Sequence, residues 1–72
     1  MAERAPTMKD LTKLAREVLG SDYRVRAVYY PRGVCCDRGY GGPGITIRTG
    51  DYNTGKRWMR DVLLAWKAAG HG

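Results

Sequence analysis

The chain has no phenylalanine, one histidine (His71), one serine (Ser21) and only two cysteines, Cys35 and Cys36, which are neighbours. Each shortage removes a class of chemistry. His71 sits between two glycines near the C-terminus and Ser21 falls at a helix-to-strand turn, so no Ser-His or Cys-His nucleophile pair is in evidence. Two cysteines and one distant histidine fall short of the four ligands of a structural zinc. Adjacent residues in an extended segment point to opposite faces, so the two thiols do not bridge. The expectation is one buried and one exposed thiol, both reduced, in a cytosol-like compartment. The seven carboxylates are spread singly, with no pair at helical spacing to share acid-base work. Catalytic residues, metal ligands and cofactors are therefore not expected. No apolar run approaches the roughly 20 residues that cross a bilayer. The opening MAERAPT has charge but no apolar stretch of the signal-peptide kind. A soluble, cytoplasmic protein without membrane contact is the expectation.

What is present is positive charge. Thirteen Lys and Arg against seven Asp and Glu give a net charge of +6 in 72 residues, with an isoelectric point near 9.8. That balance favours an acidic partner, either nucleic acid or an acidic protein surface. A chain this short makes one domain that buries only about 60% of its unfolded surface. It has no room for a nucleotide-binding fold of several βαβ units.

Residues 1–6 read as a flexible leader and 7–70 as the domain. Thr7 reads as a helix cap, and Met8, Leu11, Leu14, Ala15, Val18 and Leu19 recur at helical spacing, predicting a first helix over 8–19 closed by Gly20. Segment 22–30 alternates with period two. Tyr23, Val25, Ala27 and Tyr29 fall on one side, and Arg24, Arg26, Val28 and Tyr30 on the other. Pro31-Arg32-Gly33 ends it with turn chemistry. Val34, Cys35 and Cys36 fit a short middle strand, followed by a glycine-rich segment, 37–43, expected to be the most mobile internal part. The strand at 44–49 places Ile45 and Ile47 inward and Thr46 and Arg48 outward. A second helix is predicted over about 54–69, capped by Asn53 or Thr54, with Met59, Val62, Leu63, Trp66 and Ala69 on its buried stripe. The fold class is α+β, in the order α-β-(β)-β-α. Two helices pack on one face of a two- or three-stranded antiparallel sheet and leave the arginine face open. The core should include Leu11, Leu14, Val18, Val25, Ile45, Ile47, Met59, Val62, Leu63 and Trp66, with Tyr23 and Tyr29 also inside.

Two basic clusters follow: Arg24, Arg26 and Arg48 on the sheet, and Lys56, Arg57 and Arg60 on the second helix. Lys56 and Arg57 fall in the first helical turn, where the macrodipole disfavours cations, and such breaks of a local rule are expected at functional sites. Gly50 to Lys56 also matches the GxxxxGK phosphate loop. Arg57 replaces the Ser or Thr that holds Mg²⁺, so a nucleotide hydrolase is not indicated. What remains is a glycine and two cations at a helix start, a setting suited to a phosphate. Tyr30, Tyr40 and Tyr52 fall at strand edges and loop tips, where an aromatic ring can stack on a base or anchor a protein contact.

The element order, the glycine-rich hairpin and the basic start of the last helix resemble the double-stranded-RNA-binding fold, and within it the small HicA-type toxins. The matching pieces are Met8–Leu19, Ile45–Ile47, Asp51–Gly55 and Trp66-Lys67-Ala68-Ala69-Gly70. The resemblance implies that fold and an RNA-facing surface. The toxins' sheet histidine follows a Gly-Ser pair. Gly33-Val34-Cys35-Cys36 stands there in this chain, so the resemblance does not extend to RNA cleavage. The reading is a small non-catalytic module that binds RNA or DNA backbone through Arg24, Arg26, Arg48, Tyr30, Tyr40, Lys56, Arg57 and Arg60. A second class stays open: an inhibitor from a phage or mobile element, of the anti-CRISPR kind, that binds a host protein complex through the same Arg and Tyr surface.

Overall fold

A computed structural model describes residues 4–39 and 44–70. Its order is α1 (Met8–Val18), β1 (Arg24–Val28), β2 (Gly33–Asp37), β3 (Ile45–Ile47) and α2 (Tyr52–Ala68). The three strands form one antiparallel sheet in the order β1-β2-β3. Both helices pack against the same face, α1 over β1 and α2 over β2 and β3. This is the α+β arrangement the sequence predicts, and the middle strand is the centre of the sheet. No helix among the described residues is long and apolar enough to cross a membrane. Residues 1–3 of the predicted leader, residues 40–43 of the glycine-rich segment 37–43 expected to be mobile, and His71 lie outside the described residues.

The α1 helix starts where Thr7 accepts the amide hydrogen of Asp10 on its Oγ1 at 3.1 Å. It buries Leu11, Ala15 and Val18, one stripe at helical spacing. Thr12, on its flank, accepts the Val25 amide hydrogen at 3.1 Å and fixes α1 along the outer strand. The alternation of β1 gives a sheet with two unlike faces. Val25, Val34 and Cys36 point to the helices and join Leu11, Ala15, Met59 and Leu63 in the main core. Leu14, Ile45, Ile47 and Trp66 pack at its margin, and Val62 is only half-buried. Arg24, Arg26, Thr46 and Arg48 are exposed on the other face.

Three expectations need correction. Tyr29 is not core but 62% exposed, because β1 ends at Val28 and the alternation does not continue into the turn. Val28, assigned to the solvated face, is buried outside the main core. It lies opposite Gly33, at the end of the sheet that the Arg48 side chain crosses. The second helix begins at Tyr52 and is capped by Asp51, whose Oδ2 accepts from the Thr54 amide at 2.9 Å and the Thr54 hydroxyl at 2.8 Å. Asp51, Asn53 and Thr54 are all competent caps. With the start at Tyr52, Gly55 falls inside the helix and faces inward.

Gly55 is buried, and a Cβ there would lie 3.6 Å from the Gly33 Cα and 3.4 Å from the Thr49 Oγ1, in ordinary contact. Gly33 is far tighter. A Cβ at Gly33 would stand 2.0 Å from the Ile47 carbonyl oxygen and 2.7 Å from the Arg48 Cα, both fixed backbone. Gly33 thus lets the end of β3 pass directly over the start of β2, and Gly55 of α2 faces it at the β1–β2 turn. Gly33→Ala should cost at least the 1–3 kcal/mol typical of overpacking, whereas Gly55→Ala should be neutral or gain up to about 1 kcal/mol from helix propensity. Urea unfolding of the two variants checks this, and equal effects would contradict the packing described.

Candidate nucleic-acid interface

The closure at Gly33 assembles one end of the domain. The Gly50 amide donates to the Arg32 carbonyl at 2.7 Å, joining the β1–β2 turn to the loop before α2. Arg48, leaving β3, reaches over the turn and donates from Nη1 to the carbonyls of Tyr29 at 2.8 Å and Pro31 at 3.3 Å. Between these anchors Tyr30 adopts φ +60°, preceding a cis Pro31. The left-handed region is rare for a bulky residue. The Tyr30 ring is 98% exposed.

Around the turn the aromatic rings cluster. Tyr29 lies 6.4 Å from Tyr30 and 6.1 Å from Tyr52, the latter edge-on at 87°. The Arg32 guanidinium lies 5.8 Å from the centre of the Tyr52 ring. Burial and the neighbouring Tyr29 hydroxyl hold the Tyr52 phenol above its ordinary pKa. Lys56 follows Tyr52 by one helical turn on the same flank, and Arg60 follows Lys56. Arg57 lies on the outer side of that turn. Both Lys56 and Arg57 act on Asp51, whose carboxyl is held below its usual range chiefly by the Thr54 amide and hydroxyl.

Charge separates the two predicted clusters. At the turn end, Arg32, Arg48, Lys56 and Arg57 are in no ion pair among the described residues; Lys56 and Arg57 act on Asp51, whose Oδ2 is engaged by Thr54. Elsewhere on the open face, Arg26 is paired with Asp37 at 3.1 Å and Arg38 approaches Asp22 at 4.0 Å. Arg24 lies over Gly39 at the far end, where a Cβ would stand 3.0 Å from its Nη2. The structure therefore spreads the sheet cluster along the face. Arg24 lies at one end and Arg26 midway, level with Thr46. Arg48 lies at the other end with Lys56 and Arg57, about 13 Å along the strands from Arg24 and about 7 Å from Arg26. Tyr30 joins this second group. Arg60 also contacts Asp61 at 3.4 Å, and Tyr40 is outside the described residues. Tyr29 and Arg32 were not picked out from sequence. A two-residue shift in where the strand ends hides both, and only the turn chemistry at Pro31 marks the place.

The GxxxxGK run does not form a phosphate loop. Gly55 and Lys56 are inside α2, and Gly55 serves packing against Gly33. The cysteines lie on opposite faces as expected, but both are buried. Cys35 is covered on the open face by Asp37 and by Thr46, whose Oγ1 donates to its Sγ at 3.4 Å. Asp37 is held below the usual carboxylate range, first by its bond from Arg26. Among the described residues no group of three or more His, Cys, Asp or Glu could hold a metal ion. No protein-family model, no curated protein and no solved structure matches the chain.

Cys36 faces the core and its thiol is pushed up to about 11, first by burial and then by the charges of Cys35 and Asp37. An unfolded thiol ionises near 8.5. The unfolded state therefore gains charge first, and stability complete below pH ~8.5 is lost as pH rises from there toward about 11. Urea midpoints between pH 7 and 9.5 should fall above pH ~8.5 and fall less in Cys36→Ala. Parallel curves for the two proteins would contradict the burial of this thiol.

Proposed function

We propose that this protein is a nucleic-acid-binding module, not an enzyme, and that it grips phosphates at the β1–β2 turn and the start of α2. The observation that carries the reading is the charge excess there: Arg32, Arg48, Lys56 and Arg57 against Asp51, beside exposed tyrosines. Cations so placed release counterions on meeting a phosphate backbone, which gives affinity with little sequence preference and a steep salt dependence. Because α2 starts at Tyr52, Lys56 and Arg57 lie in its second turn and not in the first turn that the sequence predicts, so the macrodipole cost of these cations has largely faded. Arg24 and Arg26, beside Asp37 and Asp22, are secondary in this reading. A cytoplasmic location goes with it.

The test is binding of labelled oligonucleotides over a salt series. Reversing Arg32, Lys56 and Arg57 to Glu should flatten the slope of log K against log salt by about 2 units, at roughly 0.7 per phosphate contact on a single strand. Reversing Arg24 should change it little. Arg48 is left intact because it holds the turn. Absence of binding to every oligonucleotide at low salt would remove this reading and leave the surface to a protein partner, the mode of an anti-CRISPR-like inhibitor.

A further inference from the structure

We propose that the Tyr29–Tyr30 pair is a stacking platform for an unpaired base, so that the ligand of this surface is a single strand and not a duplex. This rests on the nucleic-acid reading above and goes beyond it, because phosphate contacts alone do not distinguish the two. The Tyr30 ring is 98% exposed and its backbone is left-handed. Exposing a large ring gains nothing from burial, and φ +60° costs a bulky residue of its own. Glycine would fill the position without either cost. The fold nonetheless fixes the turn on both sides, through the two bonds from Arg48 and the bond from Gly50 to Arg32. The ring is thereby presented from a braced turn.

The second part is what surrounds the ring. Tyr29, 62% exposed, supports Tyr30 from 6.4 Å, and Tyr52 braces Tyr29 edge-on. Arg32 caps Tyr52. Two exposed rings, with Arg32 on the adjoining Tyr52 and with Lys56 and Arg57 one turn along α2, combine a π surface with charges for the neighbouring phosphates, the pairing that holds single strands. In a duplex the faces of internal bases are covered by their neighbours, so such a platform has nothing to stack on except an end. The charge complementarity favours a nucleic acid over an apolar peptide as occupant.

The experiment uses the full chain with a 12-nucleotide single strand carrying one 2-aminopurine, as RNA and as DNA, and a blunt 12-base-pair duplex. The single strand should bind more tightly than the duplex, and 2-aminopurine emission should be quenched as the base stacks. Tyr30→Ala should weaken single-strand binding roughly 5- to 150-fold, the range of one lost base stack, and leave the weaker duplex binding unchanged. Tyr30→Phe should retain affinity and quenching. Tyr30→Gly should lose both while raising the urea midpoint, which separates lost stacking from lost folding. Preference for RNA or for DNA is compatible with the platform. Equal loss on single strand and duplex, a duplex preference, or full affinity in Tyr30→Gly would overturn the platform and leave phosphate binding standing. No binding to any of the oligonucleotides would overturn both.

Discussion

The close approach of two backbones at Gly33 governs the rest of this structure. Its Cα lies where any side chain would collide with the Ile47 carbonyl and the Arg48 Cα. Because nothing projects there, β3 can leave the sheet across the start of β2, and the loop before α2 can reach the Arg32 carbonyl. α2 then starts with Gly55 facing Gly33, which puts Tyr52 beside Tyr29 and carries Lys56 and Arg57 to the same end. The chemistry of the turn end is thus a consequence of packing. Four segments distant in sequence meet at one place because one residue has no Cβ.

That packing divides labour among the arginines. Arg48 is exposed, but its guanidinium is committed to two carbonyls and organises the turn. Arg26 is committed to Asp37 and covers Cys35 with it. Exposed ion pairs of this kind contribute little stability, yet they lower the local excess of charge. Arg32, Lys56 and Arg57 are in no ion pair among the described residues. Lys9, Lys13 and Arg24 are also exposed and outside those pairs, so what sets the turn end apart is unpaired cations beside exposed tyrosines.

The sequence made the architecture legible because both helices and β1 carry clean periodicities. Arg24 and Val25 alone tell the faces apart, and Leu11, Ala15 and Val18 define the inner stripe of α1. Boundaries were less legible where several residues satisfy the same local rule. Asp51, Asn53 and Thr54 can each cap a helix, and Asp51 takes the role by accepting from both the Thr54 amide and the Thr54 hydroxyl, which leaves Thr54 inside the helix. Period-two alternation runs through Tyr29 without a visible stop, which places an exposed ring in the core. The candidate site was half legible. Lys56 and Arg57 stood out because a helix start at Asn53 or Thr54 puts them in its first turn, which the start at Tyr52 does not; Tyr30 stood out at a strand edge. Arg32 and Tyr29 acquire meaning only from contacts with Tyr52 that span 20 residues or more of chain, and no local pattern encodes those.

In the proposed binding mode one end of the domain, and not the open arginine face, meets the ligand. Amide and side-chain NMR shifts recorded while a short single-stranded oligonucleotide is added test it most directly. The account predicts the largest changes at Tyr29, Tyr30, Arg32, Tyr52, Lys56 and Arg57, with Arg24, Arg26 and Thr46 little moved. Shifts centred on Arg24, Arg26 and Thr46, with the turn end unaffected, would contradict it.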